Sequence, residues 1–295
     1  MKQSIHVLIK ERIDSYVNKR NLNLDVVSEH EQQAIKRKQD LCERRSVEML
    51  KCNVKGKILG KKQVAGSTTI SYVLHYRSLM KQDDFFYIEE ICEHRAASFL
   101  LNELINDCED KQYVSKQEHV PLDRNQPEAT RKSFKYDRLE AVKYAENWWN
   151  SYNVKYKTFE VDCTNYVSQC MHAGGAPLVG YPNRSGGWWM VGNNWSYSWS
   201  VAHSLRWYLS GANVGLRAVE VESAKALSQG DIICYDFEGD GRFDHTTIVV
   251  AKDKENYPLV NAHTENSRMR YWSYEDSTAY TPNINYKFFH IIDDN

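Results

Sequence analysis

Two side chains, Cys163 and His245, are of the types and in the settings from which a reaction could be built. Cys163 lies in Phe159-Glu160-Val161-Asp162-Cys163-Thr164-Asn165-Tyr166-Val167-Ser168-Gln169-Cys170-Met171. Val167, Cys170 and Met171 fall three and four apart on the side that carries Cys163. That spacing predicts a buried helix, with Asp162 at its N-cap and Gly174-Gly175 as its stop. A sulfur in the first turn meets unpaired main-chain N–H groups and the positive end of the helix dipole, which favour thiolate over thiol. His245 follows the tight turn Glu238-Gly239-Asp240-Gly241 and opens a β-rich run. His263 sits on the next strand, and Asn261 has the same parity, so both point to one face. A cysteine at a helix start, a histidine on a facing strand and a third polar residue form a nucleophile, a base and an orienter. The thiolate attacks an acyl carbon, and the imidazolium protonates the leaving amine. His263 is the first choice for the third position and Asn261 the alternative. A cysteine considered alone is more often a small buried hydrophobe, and Cys170 reads that way.

Two neighbouring features bear on the same chemistry. Asp236, Glu238, Asp240 and Asp244 around Gly241 resemble the front of a calcium loop, but Thr247 stands where a bidentate glutamate is needed. An acid-rich hairpin turn is the preferred account of them, and no metal is assigned. Trp188, Trp189, Trp195 and Trp199 lie in a long Gly-, Ser- and Asn-rich stretch. They could wall a substrate cleft, together with Asp162 at its edge, or pack that stretch onto the core.

The elements that position these residues come in the order helix, then sheet. Residues 136–149 and 162–173 read as helices, the stretch around residues 180–200 as loop, and residues 201–209 as a further helix. Residues 230–236, 243–251, 257–264 and 285–292 then read as strands. The first half is different. Residues 5–42 read as helix, with Asn21 and Asn23 suggesting a break. Residues 46–54, 68–76 and 85–91 read as strands, residues 56–66 as a basic turn region and residues 95–108 as helix. His75 and His94 in this half read as solvated or core residues, and no chemical constellation appears. Residues 115–132 are polar and hold Pro121 and Pro127, the strongest linker signal in the chain. The fold class is therefore α+β: an accessory helix-plus-antiparallel-sheet domain over 1–115, a linker over 116–132, and a second domain over 133–295.

Composition sets the outer bounds. The chain has 295 residues, a formal net charge of −1 and 42% hydrophobic residues, which is ordinary globular usage. Near-zero net charge gives no global field for nucleic acid or an anionic membrane, so neither is expected as a partner. The seven cysteines form no CxxC pair, which argues against a disulfide framework or a cysteine zinc site and for a reducing compartment. No apolar leader or membrane-spanning run is seen, so the cytoplasm is expected; a wall substrate would require export or lysis.

Taken together, Asp162-Cys163-Thr164-Asn165-Tyr166-Val167-Ser168-Gln169, Gly174-Gly175, Gly230-Asp231-Ile232-Ile233, Gly239-Asp240-Gly241 and Asp244-His245 resemble the putative amidase domain family. Ala141-Val142-Lys143-Tyr144-Ala145 and Trp148-Trp149 extend the likeness upstream. That family is similar to papain-like cysteine hydrolases of the NlpC and CHAP types. The resemblance covers residues 133–295. It implies a papain-like catalytic domain, Cys163 as nucleophile, His245 as base and no cofactor. It also implies amide hydrolysis in peptidoglycan peptides. Rival readings are acyl transfer on the same fold, a non-catalytic wall-binding module read by the aromatic loop, and a zinc hydrolase built on His245, His263 and Asp244. The first domain is expected to position substrate or to bind an unidentified protein partner.

Overall fold

The computed structural model describes residues 1–22, 24–110 and 134–294, and these divide into two units. The linker expected over 116–132 lies outside the described residues. The first unit comprises Met1–Gln112 and Ser273–Tyr280; the second comprises Tyr113–Trp272 and Thr281–Asn295.

In the first unit, α1 (Lys2–Asn18) and α2 (Glu29–Arg44) are separated by a break where the asparagines suggested one. Ser28 caps α2 by accepting from the Glu31 N–H at 3.2 Å. Four strands follow: β1 (Val47–Val64), β2 (Ser67–Gln82), β3 (Phe85–Leu100) and β4 (Glu103–Glu109), each antiparallel to the one before. Two-residue turns join them. At Ala65 (φ 46°) with Gly66 (φ 82°), and at Leu101 (φ 50°) with Asn102 (φ 73°), both central residues are left-handed, as a primed hairpin turn requires.

Two expectations are corrected here. Residues 56–66 are mostly strand, the second half of β1, with only the Ala65-Gly66 turn irregular. Residues 95–108 are the end of β3 and most of β4, not a helix. Ala96, Phe99, Leu100 and Leu104 do fall at helical spacing, but a period of two governs: Arg95, Ala97 and Phe99 are buried in alternation. What decides the matter is a buried charge cluster that only the strand can complete. Arg95 donates to Asp107 Oδ1 at 2.8 Å and to Glu31 Oε2 at 2.9 Å. Arg12 donates to Asp107 Oδ1 at 2.9 Å and to Glu31 Oε1 at 3.0 Å, and the Tyr72 hydroxyl donates to Asp107. The cluster ties α1, α2, β2, β3 and β4 together. Removing one member strands the others without water, so Asp107→Ala is expected to cost about 3–5 kcal/mol of stability. Urea unfolding followed by far-UV circular dichroism measures this; a loss within 1 kcal/mol would contradict it. Ser273–Tyr280 joins this unit through Lys38, whose ammonium lies 2.6 Å from Glu89 and 3.0 Å from Asp276, and through Arg37, which donates to the Glu275 carbonyl at 2.6 Å.

The second unit opens with α3 (Arg138–Trp148) and α4 (Cys163–Ala173). A two-residue ribbon, β5 (Met190–Val191) with β6 (Asn194–Trp195), precedes α5 (Tyr197–Ser200) and α6 (Ala202–Gly211). The sheet strands are β7 (Arg217–Val221), β8 (Ile232–Asp236), β9 (His245–Lys252), β10 (Pro258–Ala262), β11 (Ser267–Tyr271) and β12 (Asn285–Ile292). They lie in the order β11-β10-β9-β8-β12-β7, all neighbours antiparallel. The unit is helices followed by an antiparallel sheet, as expected. β7 and β11 were not foreseen: Arg217-Ala-Val-Glu-Val and Ser267-Arg-Met-Arg-Tyr are short and polar, and they pair at the ends of this strand order. β8 and β10 are buried at every position, with α3 and α4 packed on β9 between them.

Candidate active site

Cys163 is the first residue of α4, and every residue from Cys163 to Met171 is buried. The side chains of this stretch explain why so many are polar. Thr164 Oγ1 meets Thr246 Oγ1 at 3.1 Å. Asn165 donates to Asp162 Oδ1 (2.9 Å) and to the Lys157 carbonyl (3.0 Å), and accepts from the Trp199 indole (2.8 Å). Tyr166 donates to the Ala145 carbonyl on α3 at 2.8 Å. Ser168 donates to the Trp199 carbonyl (2.8 Å) and accepts from the Trp188 indole (3.0 Å). Gln169 accepts from Tyr144 at 2.6 Å. The motif is thus a set of buried polar groups with partners, which locks α4 to α3, to β9 and to the tryptophan loop.

The sulfur of Cys163 lies 3.7 Å from Thr164 Oγ1, which in turn meets Thr246 Oγ1 at 3.1 Å. Through that hydroxyl the thiol is joined to β9 one residue beyond His245. Burial pushes the Cys163 thiol up from its ordinary value, outweighing its hydrogen bonds. The helix start favours the thiolate, and burial works against it.

His245, the first residue of β9, is buried on the Tyr235 side of the strand. Tyr235 is its cross-strand partner, with ring centroids 5.6 Å apart, and Phe237 lies at 6.1 Å. Thr246 pairs with Cys234 and turns its hydroxyl toward α4, as alternation requires. Burial, then the positive charge of Arg270 on β11, lowers the His245 pKa to about 3. The ring is neutral at neutral pH, the form a general base needs. Because the unfolded chain protonates near 6.5, the folded state binds fewer protons below that value. The stability from this neutral burial is intact above pH 6.5 and is lost as pH falls toward 3, at up to about 1.4 kcal/mol per pH unit. His245→Gln is expected to flatten the acid limb of urea stability between pH 7 and 4; parallel limbs for variant and parent would show that another group governs it.

His263 and Asn261 are both engaged away from His245. His263 Nδ1 bonds Asp162 Oδ2 at 2.8 Å, and Nε2 bonds the Trp148 carbonyl at 2.7 Å. Its ring stacks on Tyr166 at 4.1 Å. Both nitrogens are used, so the ring has none left with which to orient the base. Asn261 donates to Glu146 at 2.8 Å and accepts from the Met269 N–H at 2.9 Å, joining α3 to β10 and β11. Asp162 makes no capping bond to α4. It accepts instead from the Phe159 N–H (3.0 Å), Asn165 and His263. Buried and holding three donors, it fixes the loop before Cys163. Sequence reasoning missed Thr164, Thr246, Asn165 and Arg270; the first three were legible only as polar residues in a run that had to be buried.

Of the four tryptophans, Trp188, Trp189 and Trp199 are fully buried; Trp188 and Trp199 pack the loop onto α4, while Trp189 donates to the Asn183 and Gly186 carbonyls within it. A cleft wall therefore rests on Trp195 alone, which is partly exposed and has Lys157 and Arg184 against its ring at 4.5 and 4.7 Å. Carboxylate oxygens of Asp236, Glu238 and Asp244 lie within 4.8 Å of one another, a spacing a hard cation could bridge. Asp236 already accepts from the N–H groups of Gly239 (2.8 Å), Asp240 (3.2 Å) and Gly241 (2.8 Å), which is how the turn is built. Burial and the neighbouring Glu238 push Asp244 up to about 7. Among the described residues, His245 and His263 join no such group, so the zinc reading lacks its donor set. All seven cysteines are free thiols. Among the described residues no helix is long and apolar enough to cross a membrane.

Residues 135–289 match the family described as a putative amidase domain. The chain is 54% identical to the uncharacterized protein YhbB of Bacillus subtilis (strain 168) over 269 residues, 88% of this chain and 86% of that one. It is 30% identical to the uncharacterized protein YjcM of the same organism over 138 residues, 43% of this chain and 31% of that one. No solved structure matches.

Proposed function

Because the chain belongs to the putative amidase domain family, we propose that it cleaves an amide bond through a thioester on Cys163, with His245 as general base. Peptidoglycan peptides are the proposed substrate class, and the helix-then-sheet unit is proposed to be papain-like. One observation carries the reading: the sulfur at the head of α4 is joined through the Thr164 hydroxyl to Thr246, next along the chain from His245. His245 faces the side of β9 opposite Thr246, packed on Tyr235 and Phe237, so the proposed mechanism requires its ring to swing around the strand end to reach the thiol.

The proposed chemistry begins once His245 has made that movement. Neutral His245 takes the thiol proton as sulfur attacks the acyl carbon. The Cys163 N–H, at a helix start with no acceptor one turn back, supports the developing oxyanion. The imidazolium returns the proton to the leaving amine, and water cleaves the thioester. A second reading, transfer of the acyl group to an amine, is favoured by the burial of Cys163, which keeps water from the thioester. Purified wall fragments incubated with the native protein and with Cys163→Ala, and analysed by mass spectrometry with and without an added amine, test both. An amide cut by the parent alone supports hydrolysis, and an amine adduct supports transfer. Intact fragments, or equal cutting by both proteins, would overturn the thioester mechanism.

A further inference from the structure

The net charge of −1 conceals a strong local segregation. Between Glu48 and Asp83 the sequence contains no acidic residue, while Lys51, Lys55, Lys57, Lys61, Lys62, Arg77 and Lys81 are all basic. This stretch is the β1–β2 hairpin. On β2 the residues alternate: Thr68, Ile70, Tyr72, Leu74 and Tyr76 are buried, and those between them are not. Lys51, Lys55, Lys57 and Lys62 stand opposite Leu79, His75, Val73 and Thr69, all of the unburied set. Four lysines therefore share the open face of the hairpin. Lys61, opposite Ile70, is exposed on the other side. Among the described residues no carboxylate pairs with any of these five lysines; Glu90 is taken by His75 (2.8 Å) and Arg77 (3.1 Å).

Lysines on an edge strand commonly serve only to discourage pairing with another chain. That role does not explain the aliphatic residues set among them. Ile58, Leu59 and Val64 are 44%, 51% and 58% exposed, in the distal half of the hairpin beside Lys57, Lys61 and Lys62. Exposed aliphatic side chains flanked by cations suit a lipid interface, where the chains enter the acyl boundary and the ammonium groups meet headgroup phosphates. A nucleic acid would be better served by arginine forks and aromatic faces, and residues 54–66 contain neither.

We propose that the exposed edge strand of the β1–β2 hairpin docks the protein edge-on against an anionic lipid bilayer, Lys55, Lys57 and Lys62 from one face and Lys61 from the other meeting headgroups on either side of Ile58 and Leu59, which enter the interface. This is independent of the amidase mechanism, and it revises the expectation, drawn from net charge alone, that no membrane is a partner. The test is sedimentation of the full chain with vesicles of phosphatidylcholine, with and without phosphatidylglycerol. Binding only to the anionic vesicles, weakening as salt is raised, is the expected result. The triple variant Lys57→Glu, Lys61→Glu, Lys62→Glu is expected to bind at least about 100-fold more weakly. Ile58→Ser with Leu59→Ser is expected to weaken binding about tenfold. All five positions are exposed, and unchanged circular dichroism shows that the variants are folded. Failure to sediment with anionic vesicles, or undiminished binding by the charge-reversed variant, would overturn the proposal. So would equally tight binding of a soluble RNA that is indifferent to the aliphatic pair.

Discussion

Cys163→Ala is expected to lower turnover of the amide substrate by at least about 10⁴-fold while leaving the fold in place. Under the proposed thioester mechanism, the size follows from the role. Without sulfur there is no acyl-enzyme, and water would have to attack directly with help only from binding and a main-chain N–H. The structural cost is small by comparison. The substitution removes one buried sulfur, and the Thr164–Thr246 bond at 3.1 Å, which joins α4 to β9, does not depend on it. His245→Ala should fall nearly as far, since the two groups act as a unit. Steady-state kinetics on the amide identified by mass spectrometry give the number. Retention of a tenth or more of the parent rate by Cys163→Ala would remove the nucleophile from the mechanism.

Asp162→Ala is expected to be the most damaging single change near the site that leaves Cys163 untouched. Three donors converge on this carboxylate: the Phe159 N–H, the Asn165 amide and His263. All would be left in a place water does not reach, at a cost of about 3–5 kcal/mol. The cost should be visible in activity too, because the same bonds fix the chain one residue before the sulfur. Asp162→Asn keeps an acceptor and the volume, so it should recover part of the stability. A midpoint of urea denaturation for Asp162→Ala close to that of the parent would mean that the loop before α4 is held by something else.

What could be read from the sequence differs sharply between the two units. In the second, the chemistry-bearing residues sit on strongly periodic elements with clear stops: α4 runs from Cys163 to the residue before Gly174, and β12 spans residues 285–292 as read. The partners of those residues were not legible. His263 looked like an orienter by strand parity, yet it is claimed by Asp162 and by the end of α3, more than a hundred residues earlier in the chain. Parity says which face a side chain takes; it cannot say which of several acceptors on that face will win. In the first unit, local spacing gave the wrong element. Residues 95–108 carry a helical pattern, but Arg95 is satisfied only when β3 brings it to Glu31 and Asp107 together. A burial constraint of that kind overrides propensity and leaves no mark in a short window.

The distribution of indoles has a practical consequence. All eight tryptophans lie between residues 148 and 272, in the second unit, and Trp188 and Trp199 are sealed against α4. Emission from this protein is therefore a reporter of one half only, blue-shifted while α4 is packed and red-shifting when it comes away. The first unit is spectrally silent in that channel and must be followed by its strands. One denaturant titration read at both signals would show whether the halves melt together or in turn.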